Sequence, residues 1–294
     1  MVDISEIDIG TKTHVLVEAL PYIQRFRGST FVVKFGGSLL DERAALTNVA
    51  LDAVFLSAVG IKVVLVHGGG KAISRAMQDA GLVPVFRDGL RVTDAATIEI
   101  VAKVLDQGTN LDICEVVQSR FGRPLGIPGR KVLCAERQTV DADGKPMDAG
   151  FLGKIVDVNT QPVKHALDTG YMPVISPVGA DENGQLYNIN ADLAAGCIAS
   201  ALAARRLVYL CDVPGLLRDP KNPLSLISTL YLDEVPMMRA SGVISSGMFP
   251  KVDSACDAIA SGVRRVHFID GRVPHSVLLE IFTDEGIGTE IMNR

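Results

Sequence analysis

The chain has 294 residues, of which 48% are hydrophobic, so it can bury the core of one large α/β domain or of two lobes. Its net charge is −5 and it contains no long Lys/Arg run, which argues against a nucleic acid as its partner. No apolar run approaches the ~18–20 residues that span a membrane, the acidic N-terminus lacks a signal peptide's apolar core, and five scattered cysteines fit reduced thiols, so we expect a cytoplasmic protein.

The predicted elements begin with a helical arm. Residues 12–26 have a helical pattern that Pro21 is expected to kink or end, and this helix packs either on the core or on another subunit. Strands and helices then alternate, with strands at 31–35 and 61–66 and helices at 41–59 and 71–80.

The rest of the chain continues the alternation. A helix at 95–119 has Thr93 or Asp94 as its N-cap, and residues 131–140 and 151–159 form a hairpin. The remaining helices are at 160–168, 191–205, 231–240, 251–261 and 275–282, and the remaining strands at 171–176, 207–213, 265–269 and from Ile287. This pattern predicts an α/β fold, a three-layer αβα sandwich around a mainly parallel sheet. We expect an arm at 1–28 and two lobes, at 29–190 and 191–294.

Two neighbouring predicted strands end in glycines. FVVKFGGS places Lys34 before Gly36 and Gly37, and VVLVHGGGK places Gly69 and Gly70 before a helix. HGGGK has neither the spacing of a Walker A loop nor that of a dinucleotide fingerprint. A tight turn or a solvated lysine explains each stretch alone. Together, at the carboxyl ends of strands, they favour an anion site, with phosphate as the expected anion.

Further polar side chains flank predicted helices. Asn188, Asn190 and Asp192 alternate, so an extended backbone would point all three the same way, although helix capping alone would explain Asp192. Lys251 begins a helix, where its charge costs ~0.3–1 kcal/mol unless an anion offsets it. Arg91 is either an ordinary surface arginine or the partner of a carboxylate in a bidentate pair.

These stretches together resemble the amino-acid kinase family. The matches follow the family's order and are KFGGS (34–38), HGGG (67–70), GLRVTD (89–94), YNINADLAAG (187–196), LCDVPGLL (210–217), GMFPKV (247–252) and HSVLLEIFTDEGIGTEI (275–291). Each is weak alone, but the ordered set is specific. The resemblance implies an eight-stranded, mainly parallel α/β sandwich. It also implies ATP-dependent phosphorylation of the side-chain carboxylate of N-acetyl-L-glutamate, a step of arginine biosynthesis.

The resemblance also implies a role for individual residues. Lys34 and Lys251 would stabilise the transferring phosphoryl group, and Asp192 would orient both lysines. Gly36 and Gly37 would bind phosphoryl oxygens, and acetylglutamate would be held by Gly69, Gly70, Arg91 and Asn188. The ATP pocket would be lined by Asp212, Val213, Pro214, Gly215, Leu216, Leu217, Val243, Ile244 and Ser245. Mg²⁺ would arrive with ATP, and we expect no metal site made by the chain itself.

The N-terminal helix and the tail resemble the arginine-inhibited members of the family. In those proteins, interlaced N-terminal helices turn dimers into a hexamer, and arginine binds near the tail. The resemblance therefore implies a homo-oligomer, either a dimer or a hexamer. It also implies allosteric arginine binding at His275, Glu280 and Gly286.

Three departures from the family's pattern leave alternatives open. Lys71 stands where the family usually has proline, the turn at 126–134 is GIPGRKVLC, and the first glycine turn is FGGSLL. One alternative is a family member that phosphorylates another acceptor, such as carrier-bound aminoadipate, a carbamate or a phosphate. Another is a non-catalytic arginine sensor on the same scaffold, against which the lysines and the aspartate argue. The sequence assigns no role to Lys71.

Overall fold

The computed structural model describes residues 8–87, 89–141, 144–219, 221–244, 248–284 and 286–294. The strands of this part of the chain are β1 (Thr30–Phe35), β2 (Lys62–His67), β3 (Phe86–Arg87), β4 (Leu90–Arg91), β5 (Pro124–Ile127), β6 (Leu133–Arg137), β7 (Gly153–Val158), β8 (Met172–Ile175), β9 (Val178–Ala180), β10 (Leu186–Asn188), β11 (Arg206–Cys211), β12 (Thr229–Tyr231), β13 (Arg265–Asp270) and β14 (Thr289–Met292).

Eight of these strands form the central sheet, in the spatial order β12-β14-β13-β11-β1-β2-β8-β5. Neighbouring strands run parallel, except that β13 and β14 are antiparallel. The predicted α/β fold with a mainly parallel sheet is therefore confirmed. β1 and β2 lie side by side at the centre, so the two glycine stretches that follow them lie at the same edge of the sheet.

Helices cover both faces of this sheet. They are α1 (Ile9–Phe26), α2 (Ser38–Asp41), α3 (Arg43–Ala58), α4 (Gly70–Asp79), α5 (Ala95–Lys103), α6 (Asn110–Ser119), α7 (Gln161–Asp168), α8 (Ala191–Ala201), α9 (Val235–Ala240), α10 (Phe249–Ala260) and α11 (Ser276–Ile281). Within the described ranges, none of them is long and apolar enough to cross a lipid bilayer.

The hydrophobic core is divided by the sheet. On one face, Val32 and Val64 pack with residues of α7, α8 and α10, and on the other, Phe31, Val33 and Leu65 pack with α3, α6 and α11. Successive residues of β1 and β2 thus enter opposite cores, because side chains alternate along a strand. This explains why both strands are continuously apolar rather than alternating.

A smaller sheet, ordered β10-β9-β6-β7, packs beside the main one. β6 and β7 are antiparallel, which confirms the predicted hairpin, while β9 and β10 form a second hairpin that the sequence analysis did not predict. Both of these strands have only three residues, too few to show a hydrophobic period.

Two helices differ from their predictions. The expected end of the helix at Pro21 is wrong, because α1 continues through Pro21 to Phe26, while the alternative of a kink there stays a prediction. Pro21 is exposed, so water can satisfy the carbonyl group that loses its N–H partner. The helix predicted at 95–119 is interrupted by a π-helical segment, Val104–Thr109. The N-cap of α5 is Asp94, whose carboxylate accepts a hydrogen bond from the Thr97 N–H at 2.8 Å.

The predicted lobes meet near the middle of the central sheet. β1, β2, β5 and β8 come from residues before 190, and β11 to β14 come from residues after it. Because β1 pairs directly with β11, the sheet itself is continuous across this division. The division of the chain into an arm and two lobes stays a prediction.

Candidate active site

The two glycine stretches contact each other at the carboxyl ends of β1 and β2. The Gly68 N–H donates a hydrogen bond to the Phe35 carbonyl at 2.8 Å. A Cβ on Gly36 would lie only 3.3 Å from the Gly68 Cα, and Gly37 has φ +59°, a conformation that side chains disfavour. We call Gly36–Gly37 and Gly68–Gly70 the two glycine tips. Their close approach depends on the missing side chains and leaves backbone facing the site.

Beside the tips, one buried carboxylate holds two lysines. Asp192 Oδ1 lies 2.7 Å from Lys34 Nζ, and Asp192 Oδ2 lies 2.5 Å from Lys251 Nζ. Burial raises the pKa of the Asp192 carboxyl, but the two ammonium groups outweigh it and hold that pKa below its ordinary value. Burial lowers the pKa of Lys251, whereas Asp192 raises it above its ordinary value. The Asp192 carboxylate and the Lys251 ammonium group therefore both favour their charged forms, and the group of two lysines and one carboxylate has a formal net charge of +1.

Hydrogen bonds from two further residues fix the backbone of Asp192. The Tyr209 hydroxyl and the Ser254 hydroxyl lie 3.1 and 2.9 Å from the Asp192 carbonyl oxygen, and the two hydroxyls are 2.7 Å apart. Ser254 lies one turn after Lys251 in α10, so the same helix positions the lysine and the aspartate. Neither Tyr209 nor Ser254 was predicted from the sequence to belong to the site. A buried tyrosine needs a hydrogen-bond partner, but the pattern does not show which one.

The expected alignment of Asn188, Asn190 and Asp192 is wrong. Asn190 is the N-cap of α8, and its side-chain oxygen accepts the Asp192 and Leu193 N–H groups at 2.8 and 3.3 Å. Asn188 instead donates to the Thr93 hydroxyl at 3.1 Å. The alternation fails because the extended backbone ends where α8 begins, at residue 191.

Arg91 is buried against the second glycine tip rather than lying on the surface. Its NH2 group donates to the Gly70 carbonyl at 2.9 Å and to the Ser74 hydroxyl at 2.8 Å. Its guanidinium carbon lies 4.7 Å from the centroid of the Phe86 ring. Burial lowers the pKa of Arg91. The guanidinium group of Arg91 is therefore already oriented before any ligand binds.

The tips, the lysines and the aspartate line one open cavity of about 830 Å³. Its wall includes Lys34, Asp192 and Lys251 together with both glycine tips. A smaller cavity of about 170 Å³ lies next to it, lined by Arg91, Asn188 and the second tip. The predicted phosphoryl and substrate residues are thus brought together around adjoining spaces.

His67, the last residue of β2, contacts the second glycine tip through its side chain. Its Nδ1 lies 2.8 Å from the Gly68 carbonyl oxygen, and its Nε2 lies 3.2 Å from Asn110 Nδ2. Burial lowers the pKa of His67 to about 4, so the ring is neutral at pH 7. A neutral ring that donates from Nδ1 and accepts at Nε2 satisfies both contacts. In the sequence, the sign of this positioning role is a histidine that directly follows the apolar residues of β2.

The π-helical segment packs on the other side of the same tip. A Cβ placed on Gly69 would lie 2.4 Å from Leu105 Cδ2 and 3.5 Å from Thr109 Oγ1. Leu105 is fully buried, so it has little room to move. Glycine at position 69 is required by this contact as well as by access to the backbone.

The segments predicted to line the ATP pocket lie after β11 and α9. Asp212 and Val213 are exposed, whereas Leu216 and Ile244 are buried in the core. Gly215 has φ +144° and its Cβ position lies 2.5 Å from Thr289 Oγ1, so a side chain would clash there. Pro214, Leu217 and Val243 are partly exposed. Ser245 lies outside the described residues.

The residues predicted to bind arginine do not all meet. Glu280 and Gly286 line a cavity of about 620 Å³ beside the C-terminal half of α1. Glu280 accepts hydrogen bonds from the Ile287 and Gly288 N–H groups at 2.7 and 2.9 Å. His275 is not part of this lining, and its Nδ1 lies 2.6 Å from Asp52 Oδ1.

Comparison with protein families agrees with this arrangement. Residues 29–270 match the model of the amino acid kinase family. The chain belongs to the amino acid kinase family. Acetylglutamate kinase from Synechococcus is 45% identical over 287 residues, covering 98% of this chain and 94% of that protein. Acetylglutamate kinase from Heliobacterium modesticaldum is also 45% identical, covering 96% of this chain and 98% of that protein.

Two solved structures of other proteins have the same fold. N-acetylglutamate synthase from Neisseria gonorrhoeae, complexed with coenzyme A and N-acetyl-glutamate, gives a TM-score of 0.84 at 29% identity. The match covers 96% of this chain but only 63% of that synthase chain. Carbamate kinase from Giardia lamblia bound to AMP-PNP gives 0.63 at 17% identity, covering 91% of this chain and 99% of that one, which shows the fold alone.

Proposed function

We propose that this protein transfers the γ-phosphoryl group of ATP to the side-chain carboxylate of N-acetyl-L-glutamate, as a cytoplasmic enzyme of arginine biosynthesis. The observation that carries the proposal is the ion group in which the buried Asp192 carboxylate contacts Lys34 and Lys251, beside the two glycine tips. The names of full-length relatives at 45% identity support the same substrate.

The reaction needs no proton transfer. The substrate carboxylate has a pKa of roughly 4.3 and is already ionised at pH 7. Its oxygen forms a bond to the γ-phosphorus, and the bond from that phosphorus to the bridging oxygen breaks, leaving the electron pair on ADP. The products are an acyl phosphate and ADP. This agrees with the site, where the nearest histidine, His67, is neutral and bonded to backbone and Asn110.

The obstacle is the repulsion between two anions, and the chain's own residues reduce it. Lys34 and Lys251 place positive charge beside the transferring group, while the backbone of the two glycine tips lines the same cavity. Asp192 keeps both lysines oriented, so little reorganisation is needed during transfer. Positioning and charge neutralisation thus replace acid–base catalysis.

The divalent cation of the reaction is Mg²⁺, carried by the nucleotide. Both oxygens of Asp192 are already paired with lysines. Among the described residues, no group of three or more His, Cys, Asp or Glu side chains is placed to hold a metal ion. A cation that is bound by the phosphates of ATP needs no such cluster of protein ligands, and it would neutralise further negative charge.

Arg91 and Asn188 hold the amino-acid end of acetylglutamate, with Arg91 on its α-carboxylate. Both line the smaller cavity beside Gly69 and Gly70. Arg91 is already anchored to the Gly70 carbonyl, which places its fork next to the backbone that faces the phosphoryl group. The second glycine tip therefore fixes the distance between the site for the α-carboxylate and the site for the transferring phosphoryl group.

The decisive assay is the trapping of the acyl phosphate with hydroxylamine. ADP and hydroxamate should form together when both ATP and N-acetylglutamate are present. Hydroxamate with another acid, but none with N-acetylglutamate, would contradict the assigned substrate. ADP release without hydroxamate for any acid would contradict acyl phosphate formation.

Arginine is the proposed allosteric effector of a hexameric form. The cavity of about 620 Å³ offers the buried Glu280 carboxylate to a guanidinium group and Arg206 to a carboxylate. The N-acetylglutamate synthase from Neisseria gonorrhoeae has also been solved as a complex with coenzyme A and L-arginine. That structure is 29% identical to this chain, with a TM-score of 0.80, and the match covers 65% of the synthase chain. Val17 and Leu20, 59% and 49% exposed on α1, supply apolar surface for contacts between subunits.

A further inference from the structure

Lys71, which the sequence could not place, belongs to an ion group at the rim of the main cavity. Its Nζ lies 3.0 Å from Asp41 Oδ2, and the NH2 group of Arg75 lies 2.8 Å from Asp41 Oδ1. Asp41 ends α2, the short helix after the first tip. Lys71 and Arg75 lie one turn apart on α4, the helix that begins in the second tip.

These three residues line the same cavity as the catalytic group. Each group contains two cations and one carboxylate, so each has a net charge of +1. They differ in burial: the Asp192 side chain is 9% exposed, whereas the Lys71 side chain is 61% exposed. The group around Asp192 is therefore held in place by its buried carboxylate, whereas the group of Asp41, Lys71 and Arg75 faces solvent.

The contact between Lys71 and Asp41 is weak enough to exchange. The Lys71 side chain is largely exposed, and exposed ion pairs contribute little to stability because water screens them and the side chains lose freedom. Lys71 also lies in the first turn of α4, where the helix dipole disfavours a positive charge unless an anion is near. A phosphate group carries more charge than a carboxylate and has more acceptor oxygens, so it competes well for the ammonium group.

We propose that Lys71 is a phosphate-capturing residue, which exchanges Asp41 in the free protein for a phosphate oxygen of the bound nucleotide. The inference deepens the proposed function and rests on the same cavity. Asp41 acts as the competing anion that holds Lys71 at the rim. Lys71 is a binding residue of the outer wall, whereas Lys34 and Lys251 act on the reacting group.

The test is a double-mutant cycle on nucleotide binding, measured by calorimetry with ATP and with ADP. Lys71→Gln should weaken ATP binding roughly threefold to tenfold, and Asp41→Asn should tighten it, because the competitor is gone. In the double variant, the gain from Asp41→Asn should be largely lost. Lys62→Gln is the matched control, since Lys62 is paired with Asp168 at 2.8 Å at the opposite end of β2.

Raised salt should weaken ATP binding less in Lys71→Gln than in the wild type, because one exposed cation is missing. If Lys71→Gln and Asp41→Asn both weaken binding, the ion group is a clamp between the tips and the proposal fails. If Asp41→Asn tightens binding equally without Lys71, the effect belongs to Arg75 or to net charge, and the proposal also fails. Direct nucleotide binding does not depend on acyl phosphate formation, so failure of the proposed function in the hydroxylamine assay remains distinguishable.

Discussion

Asp192 is the residue that links Lys34 and Lys251, because its two carboxylate oxygens contact one lysine each. Removing either one leaves a buried carboxylate with a single cation and takes positive charge from the transferring group. We expect Lys34→Ala and Lys251→Ala to lower kcat by roughly 10²–10³-fold, with smaller changes in KM for either substrate. Steady-state kinetics with Lys62→Ala as a control measure this, and a near-normal kcat in both variants would remove the assigned role.

Arg91 is expected to act on binding rather than on transfer. Lysine at position 91 keeps the charge but lacks the planar fork, and it cannot bond the Gly70 carbonyl and Ser74 while also binding a carboxylate. Arg91→Lys should raise KM for N-acetylglutamate about tenfold or more, with a smaller change for ATP. An unchanged KM for the amino acid would take Arg91 out of the substrate site.

His67 links stability to pH. Its pKa is about 4 in the folded protein and 6.5 when unperturbed, so the unfolded chain binds the proton first as the pH falls. Between pH 7 and 5, this residue should lower the free energy of unfolding by about 2 kcal/mol. His67→Asn keeps an N–H for Gly68 but does not titrate, so its loss should be smaller. Urea unfolding at both pH values tests this, and equal losses in the two proteins would contradict it.

At the scale of elements, the second glycine tip is held between β2 and the π-helical segment. Gly69→Ala should reduce activity because the new methyl group meets Leu105 Cδ2. Leu105→Val removes that atom, so the double variant should recover part of the loss. Gly70→Ala is the control, because its Cβ position has no neighbour within 4 Å. Kinetics and thermal melts of all four variants measure the coupling, and no recovery in the double variant would refute this packing account.

Some of these elements were predictable and others were not. β1 and β2 were predictable, because a short continuous apolar run that ends in glycine fits few structures other than a buried strand. Their adjacency agrees with the alternation of strands and helices that predicts a parallel sheet. The π-helical segment was not, because its backbone bonds need no particular residue. The Asn190 cap was missed because an alternating polar pattern also fits an extended chain. The predicted family and fold are confirmed, while the roles of the site residues stay predictions.

For the whole molecule, α1 is the element whose exposed surface the monomer does not explain. Deleting residues 1–20 removes Val17 and Leu20 but keeps Phe26, which is 2% exposed and lies 5.4 Å from the ring of Phe31. It also keeps Tyr22 and Arg25, which line the proposed arginine cavity. The truncated protein should form a smaller oligomer with a weaker response to arginine. Light scattering and inhibition assays measure both, and an oligomeric state that is unchanged by the deletion would contradict the role of the arm.

The ion group of Lys34, Asp192 and Lys251 also has a consequence for genetic exchange. Lys34 comes from the first half of the chain, whereas Asp192 and Lys251 come from the second. A recombinant gene that joins the first 190 codons of one family member to the remaining codons of another therefore inherits its charge centre from two parents. Such hybrids should work only where β1 and β11 of different parents still pair in register. A crossover before β1 or after β11 takes both strands from one parent and leaves that pairing intact, so inherited variation should be exchanged more freely there than between residues 35 and 206.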